Sequence, residues 1–262
     1  MSKIGLIGGS GLYDIKGFVL KQKKSIATPF GKPSDQYLIG KVGKTDIVFL
    51  PRHGKKHNIP PHMINYRANI WGFKKLGVER IISISAVGGI KKGLKPGDIV
   101  VLDQVMDMTK NRKSTFYDGK GGVVHIDFTE PYCPELRKLI LKAGKQTKVP
   151  LKNGSNYVAV EGPRLETAAE IKGFKLLGGD VVGMTGMPET SLAREMAICY
   201  TGISVVANYA AGISKTKLTV PEVMEAMHAS TEKLKRLLKK TFALIPEERE
   251  CPCKDALKEA KI

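Results

Sequence analysis

Short β-rich runs and longer helix-like runs alternate along the whole 262-residue chain, and this alternation restricts the fold more than any other feature. The β-rich runs are Lys3–Ile7, Asp46–Leu50, Arg80–Ser85, Asp98–Leu102, Tyr157–Val160, Asp180–Gly183 and Ile203–Ala207. Between them, apolar spacing predicts helices over His62–Leu76, Pro134–Thr147, Leu165–Leu177, Pro188–Tyr200 and Val220–Phe242. The last opens on a capping-box pattern, Thr219-x-x-Glu222. It then places Val223, Met227, Leu234, Leu237, Leu238 and Phe242 on one apolar stripe, read as core. No repeat, low-complexity tract or Pro/Gly/Ser linker interrupts the pattern. The expectation is one α/β domain over residues 1–262, with a C-terminal tail from about 246 to 262. Its centre would be a mixed, mostly parallel twisted sheet flanked by helices. In such sheets ligands gather at the carboxyl ends of the strands, so the residues following each strand are the ones to inspect.

Composition removes several function classes. No apolar run approaches the roughly 18 residues of a membrane span. The N-terminus, Met1-Ser2-Lys3-Ile4-Gly5-Leu6-Ile7, runs directly into a strand and lacks the pattern of a signal peptide, so a cytoplasmic protein is expected. The net charge is +18, but the lysines are scattered, without a basic arm or aromatic interleaving. That distribution describes a solvated surface rather than a nucleic-acid interface, and its positive potential would draw anions toward a cleft. Few Asn and Gln beside many Lys and Glu suggest a thermophile. Of the four cysteines, Cys251-Pro252-Cys253 lacks a C-x-x-C partner or nearby His, so no metal site is expected. In a thermophile Cys133–Cys199 and Cys251–Cys253 could be bridged; in an ordinary cytosol all four would be thiols.

Four segments that follow strands carry anion-binding chemistry. Gly8-Gly9-Ser10-Gly11 offers backbone N–H groups and a hydroxyl, although neither a P-loop nor G-x-G-x-x-G spacing is present. Pro51-Arg52-His53-Gly54-x-x-His57 places a guanidinium and an imidazole at a strand end. Ser85-Ala86-Val87-Gly88-Gly89 reads as a second Gly-rich turn, and Met184-Thr185-Gly186-Met187-Pro188-Glu189 as a third hydroxyl-bearing turn that opens a helix. Donors converging on one sheet edge suit phosphate.

These segments, together with Thr28-Pro29-Phe30-Gly31-Lys32-Pro33-Ser34, Asn65-Tyr66-Arg67-Ala68-Asn69-Ile70-Trp71 and Glu161-Gly162-Pro163-Arg164, resemble the methylthioadenosine phosphorylase branch of the trimeric purine nucleoside phosphorylases. The likeness runs from Lys3 to about Leu244. It implies the nucleoside phosphorylase fold and a phosphate site of Ser10, Arg52, His53, Ser85, the Ala86 amide and Thr185. It further implies Met184 against the ribose, Ala207, Asn208 and Ala210 at the base, and His125 donated to a neighbouring subunit of a trimer or hexamer. The catalytic contacts would fall to Asn208 at the base and to His53 and Ser85 at the phosphate. No metal or cofactor is implied, inorganic phosphate being a co-substrate.

Two positions depart from the methylthioadenosine enzymes, which carry an aspartate at the place of Asn208 and a small hydroxyl residue at that of Glu166. The pair Glu166 and Asn208 is similar to the inosine- and guanosine-cleaving enzymes. An ionised Glu only accepts hydrogen bonds, so it pairs with the N1–H of hypoxanthine or guanine and opposes the N1 lone pair of adenine. The expected reaction is therefore phosphorolysis of 6-oxopurine nucleosides, with 5′-methylthioadenosine phosphorolysis as the alternative. Val220 stands where the inosine and guanosine enzymes place a histidine for the 5′-hydroxyl. An apolar residue there extends the expected substrates to 5′-methylthioinosine.

Overall fold

In the computed structural model the described residues are 3–9, 17–119, 122–214 and 220–261, excepting the side chains of Val220 and Glu222. Strand β1 (Lys3–Gly8) lies inside the sheet, and every residue after Lys3 is buried. Ile4, Leu6 and Ile7 supply apolar groups to both faces, as a parallel strand covered on two sides requires. It pairs in parallel with β4 (Thr45–Pro51) and with β5 (Val78–Gly89). Beyond β4, antiparallel pairing adds β3 (Tyr37–Val42) and then the edge strand β2 (Phe18–Lys24). On its other flank β5 pairs in parallel with β11 (Cys199–Tyr209), and its last residues pair antiparallel with β10 (Val181–Gly183). β9 (Asn156–Val160) and β7 (Gln104–Met108) continue from β10. β6 (Ile99–Val101) and β8 (Leu151–Asn153) extend from β11. The eleven described strands thus form one mixed sheet in which parallel pairs outnumber antiparallel ones.

Helices α1 (Tyr66–Lys75), α2 (Pro134–Thr147), α3 (Ala168–Leu176), α4 (Glu189–Glu195) and α5 (Val220–Leu244) flank this sheet. One core cluster holds Ile7, Leu50, Ile70, Phe73 and Leu192; another holds Ile4, Phe49, Ile140, Leu234, Leu237 and Phe242. None of the described helices is long and apolar enough to cross a membrane.

Several boundaries differ from the sequence-based expectation. The helix expected over Pro188–Tyr200 ends at Glu195, because Ala197 takes a left-handed conformation (φ 51°) and Cys199 already belongs to β11. The helix expected from Leu165 starts at Ala168. Thr167 caps it: its hydroxyl accepts from the Glu170 N–H, and Glu170 accepts in turn from the Thr167 N–H. Ser85–Gly89 is the end of a twelve-residue strand rather than a turn. The capping box expected at Thr219 lies outside the described residues.

The cysteines also behave differently. All four are buried free thiols, so neither Cys133–Cys199 nor Cys251–Cys253 is bridged. Their sulfurs nevertheless gather within 4.8 Å of one another, and Cys199 and Cys251 approach to 3.2 Å. The spacing argument against a sulfur cluster fails because the thiols arrive from three segments far apart in sequence.

Candidate active site

A cavity of about 510 Å³ opens beside the ends of β1, β4, β5, β10 and β11. That volume lies in the range of small-molecule sites. Its lining brings together Gly9, Arg52, His53, Ser85, Ala86, Thr185, Met184, Glu166 and Asn208, residues from well-separated parts of the chain. Helix α5 closes another side with Val223, Met224, Met227 and Leu234, together with His228 and Thr231. The apolar stripe of α5 therefore divides. Leu237, Leu238 and Phe242 are core, whereas Val223 and Met227 form cavity wall.

At the donor-rich end, Arg52 is 2% exposed. Its Nε and Nη2 donate to the two carboxylate oxygens of Glu189 at 2.6 and 3.0 Å, a bidentate fork. Nη2 also donates to the Ser83 hydroxyl at 2.6 Å, and Nη1 to the Ile84 carbonyl at 2.9 Å. A guanidinium has five N–H groups, so one on Nη1 is left over for a ligand. Tyr200 donates its hydroxyl to Glu189 as well, at 2.8 Å. The ionic pair is fully buried and close to neutral overall, which holds Arg52 rigidly. The carboxylate beside it raises the guanidinium pKa against the burial that lowers it.

His53 stands beside this pair. Its Nδ1 lies 2.9 Å from the Ile59 carbonyl and donates to it in the neutral tautomer, which leaves Nε2 as an acceptor. Burial, the Arg52 charge and His57 push the imidazole pKa down to about 4. Neutral Nε2 can receive a proton-bearing oxygen of phosphate, and the surrounding donors take the other oxygens. A stability signature follows from the sign of this shift. Below the unfolded value near 6.5 the unfolded chain binds a proton that the folded chain refuses until about pH 4. His53 thus contributes full stability above pH 6.5 and loses up to about 3 kcal/mol as pH falls toward 4. Chemical denaturation of wild type and His53→Asn between pH 7 and 4 should show a flatter decline in the variant; parallel declines would contradict the assignment.

The hydroxyl donors are held in place by the strands. Ser85 Oγ shares a 2.8 Å hydrogen bond with the fully buried Ser204 Oγ on the paired strand β11. Thr185 sits on a turn pinned by Tyr157, whose hydroxyl oxygen accepts from the Thr185 and Gly186 N–H groups at 3.1 and 3.2 Å. Gly183 and Gly186 are needed there, since a Cβ at either position would run into the Tyr157 ring or hydroxyl. Arg112 fastens the same turn to the Glu161 loop. Its Nη1 donates to the Met184 carbonyl at 2.7 Å and its Nη2 to the Glu161 carbonyl at 2.7 Å.

Toward the other end, β11 slips register against β5 between Val206 and Asn208. Such a bulge re-aims a side chain: Asn208 lines the cavity while Ala207 is 2% exposed and outside its lining. Asn208 Nδ2 donates to the Tyr209 carbonyl at 2.7 Å. Rotation of the amide off that carbonyl frees a donor for a ligand oxygen. Glu166 precedes the cap of α3, so Glu170 takes the capping role and the Arg164 salt bridge while Glu166 faces the cavity. Burial pushes the Glu166 pKa up.

Not every expected site residue joins this lining. Ala210 is buried beside it, its N–H bonded to the Gly89 carbonyl. His125 is exposed and lines no part of the cavity of its own chain. Ser10 and the Val220 side chain lie outside the described residues. Conversely, Glu189, Ser204, Tyr157 and Arg112 act through the lining residues and were not singled out from sequence. Of these, Glu189 closes the segment 184–189 that the sequence marks as a hydroxyl-bearing turn.

The chain matches the Phosphorylase superfamily over residues 3–243. It is 50% identical to the 6-oxopurine nucleoside phosphorylase of Pyrococcus furiosus, with 99% of each chain covered. It is 52% identical to the probable S-methyl-5′-thioinosine phosphorylase of Thermodesulfovibrio yellowstonii, covering 98% of this chain and 97% of that protein. Among solved structures, methylthioadenosine phosphorylase from Schistosoma mansoni in complex with adenine superposes with a TM-score of 0.93 at 35% identity. That match covers 100% of this chain and 99% of the other.

Proposed function

The chain belongs to the phosphorylase superfamily, and from that premise we propose that it splits 6-oxopurine nucleosides with inorganic phosphate. The products are the free base and ribose 1-phosphate, or 5-methylthioribose 1-phosphate from 5′-methylthioinosine. The observation that carries this reading is that Glu166 and Asn208 share one cavity with Arg52, His53, Ser85, Ala86 and Thr185. One end suits an oxyanion and the other a base bearing N1–H and O6.

The chemistry needs little beyond positioning and charge stabilisation. A phosphate oxygen attacks C1′ of the ribose while the C1′–N9 bond breaks, and its electron pair departs with the purine. The sugar becomes oxocarbenium-like and the base anionic in passing. Arg52, Ser85, Thr185 and the Ala86 amide hold the phosphate, with His53 Nε2 accepting its proton-bearing oxygen. Asn208 donates to O6 and engages N7 as negative charge builds, while Glu166 accepts from N1–H. Met184 lies against the ribose. The apolar residues that α5 brings to the cavity, Val223, Met224 and Met227, support a methylthio group at the 5′ end.

We also read the active protein as a trimer or a pair of stacked trimers. His125, exposed on its own chain, then reaches the 5′ end of a neighbouring site. The reading is tested by hypoxanthine release from inosine with and without phosphate. Release that ignores phosphate would make the protein a hydrolase, and no release would remove the reading.

A further inference from the structure

The four-cysteine cluster lies apart from the active-site cavity, and none of its residues lines that cavity. Cys133 caps the N-terminus of α2, Cys199 opens β11, and Cys251 and Cys253 sit on the tail that follows α5. All four are buried, between 0% and 5% exposed. They pack with Leu136 and Ile245 in a small cluster that is otherwise apolar. Their sulfurs lie within 4.8 Å of one another, and the Cys199–Cys251 pair at 3.2 Å is far from the roughly 2.05 Å of a disulfide. A zinc ion bound to four thiolates at about 2.3 Å spaces its sulfurs by about 3.8 Å, well inside this arrangement.

We propose that Cys133, Cys199, Cys251 and Cys253 form a closed tetrathiolate site for a thiophilic divalent ion of the zinc class. Four soft sulfur ligands, with no carboxylate or imidazole in the set, select such an ion over magnesium or calcium. Four protein ligands leave no open position, so the site is structural. Binding replaces four thiol protons by one dication, which leaves a net charge of −2 at the centre. Two features offset it. Arg249 Nη1 lies 3.9 Å from Cys199 Sγ, and Cys133 sits at the positive N-terminal end of α2.

The site would clamp the tail onto the body of the sheet. Several weaker ties already mark this path: Glu135 accepts from the N–H groups of Glu250 and Cys251, and Arg80 donates to the Glu248 carbonyl at 2.6 Å. Farther on, the tail pairs with the loop that carries His125. Val124 bridges Lys261, and the His125 N–H donates to the Ala260 carbonyl at 2.8 Å.

The test is elemental analysis of the full chain purified without chelator, paired with intact mass and thiol alkylation. The expected result is close to one equivalent of zinc or iron per chain, thiols protected until the metal is stripped, and thiolate-to-metal absorption after cobalt exchange. Cys253→Ser should lower bound metal to background while circular dichroism reports a folded chain. Metal-free wild type would overturn the proposal, whether its mass reveals two disulfides or its four thiols alkylate in the native state. Retention of the full equivalent by a folded Cys253→Ser chain would overturn it as well.

Discussion

Replacing Glu189 by alanine is expected to destabilise the folded chain by about 3–5 kcal/mol, the usual cost of leaving a buried charge without its partner. The carboxylate is 0% exposed and meets both Nε and Nη2 of Arg52, the Ser83 hydroxyl at 3.3 Å and the Tyr200 hydroxyl at 2.8 Å. Alanine removes the acceptor for all of them and leaves the guanidinium uncompensated in the protein interior. At about 2–4 °C per kcal/mol for a chain approaching this size, the melting temperature should fall by roughly 6–20 °C. Glu189→Gln keeps one acceptor and the shape but loses the charge, so its loss should be smaller. In any folded fraction of either variant, Arg52 loses its bidentate anchor and keeps its bonds to Ser83 and Ile84, and KM for phosphate should change more than KM for the nucleoside. A melting temperature within a degree or two of wild type would mean that Arg52 finds its compensation elsewhere.

The second large effect concerns the base. Changing Glu166 to serine together with Asn208 to aspartate should move the ratio of inosine to adenosine activity toward adenosine by roughly 10- to 100-fold. That factor corresponds to about 1–3 kcal/mol for one acceptor set against another. When ionised, Glu166 can only accept, and adenine N1 has only a lone pair to offer it. Serine can donate as well as accept, and an aspartate at 208 accepts from the adenine amino group or, when protonated, donates to N7. The two side chains reach one cavity by different devices, a strand bulge for Asn208 and a displaced helix cap for Glu166. Their effects should therefore couple through the ligand, not through each other. An unchanged ratio in a folded double variant would show that the base lies elsewhere in the cavity.

The strands with apolar residues on both faces were plain in the sequence, because β1, β4, β5 and β11 need such residues to sit inside a covered sheet. β2 was not: Phe-Val-Leu-Lys-Gln-Lys-Lys is a largely exposed edge strand, and edge strands carry no burial pattern. Ser85–Gly89 was misread as a turn because its glycines suggest one. Those glycines instead let β5 run on to meet β10. The donors at the phosphate end were legible because hydroxyl, Gly, Arg and His residues followed strands. What held them was not. Arg52 and Glu189 are 137 residues apart, and Ser85 and Ser204 are 119 apart. Such pairings exist only once β1, β4, β5 and β11 are side by side. The cysteine cluster was missed for the same reason: spacing rules find sites built from one short segment, and this one draws on three.

The central claim, phosphate-dependent cleavage of 6-oxopurine nucleosides, is tested most directly by comparing kcat/KM for inosine and adenosine on the wild-type chain at saturating phosphate. The same assay is repeated with phosphate withheld. The account predicts hypoxanthine and ribose 1-phosphate from inosine, loss of turnover without phosphate, and a preference for inosine of at least about 10-fold. Equal or faster release of adenine from adenosine would contradict it.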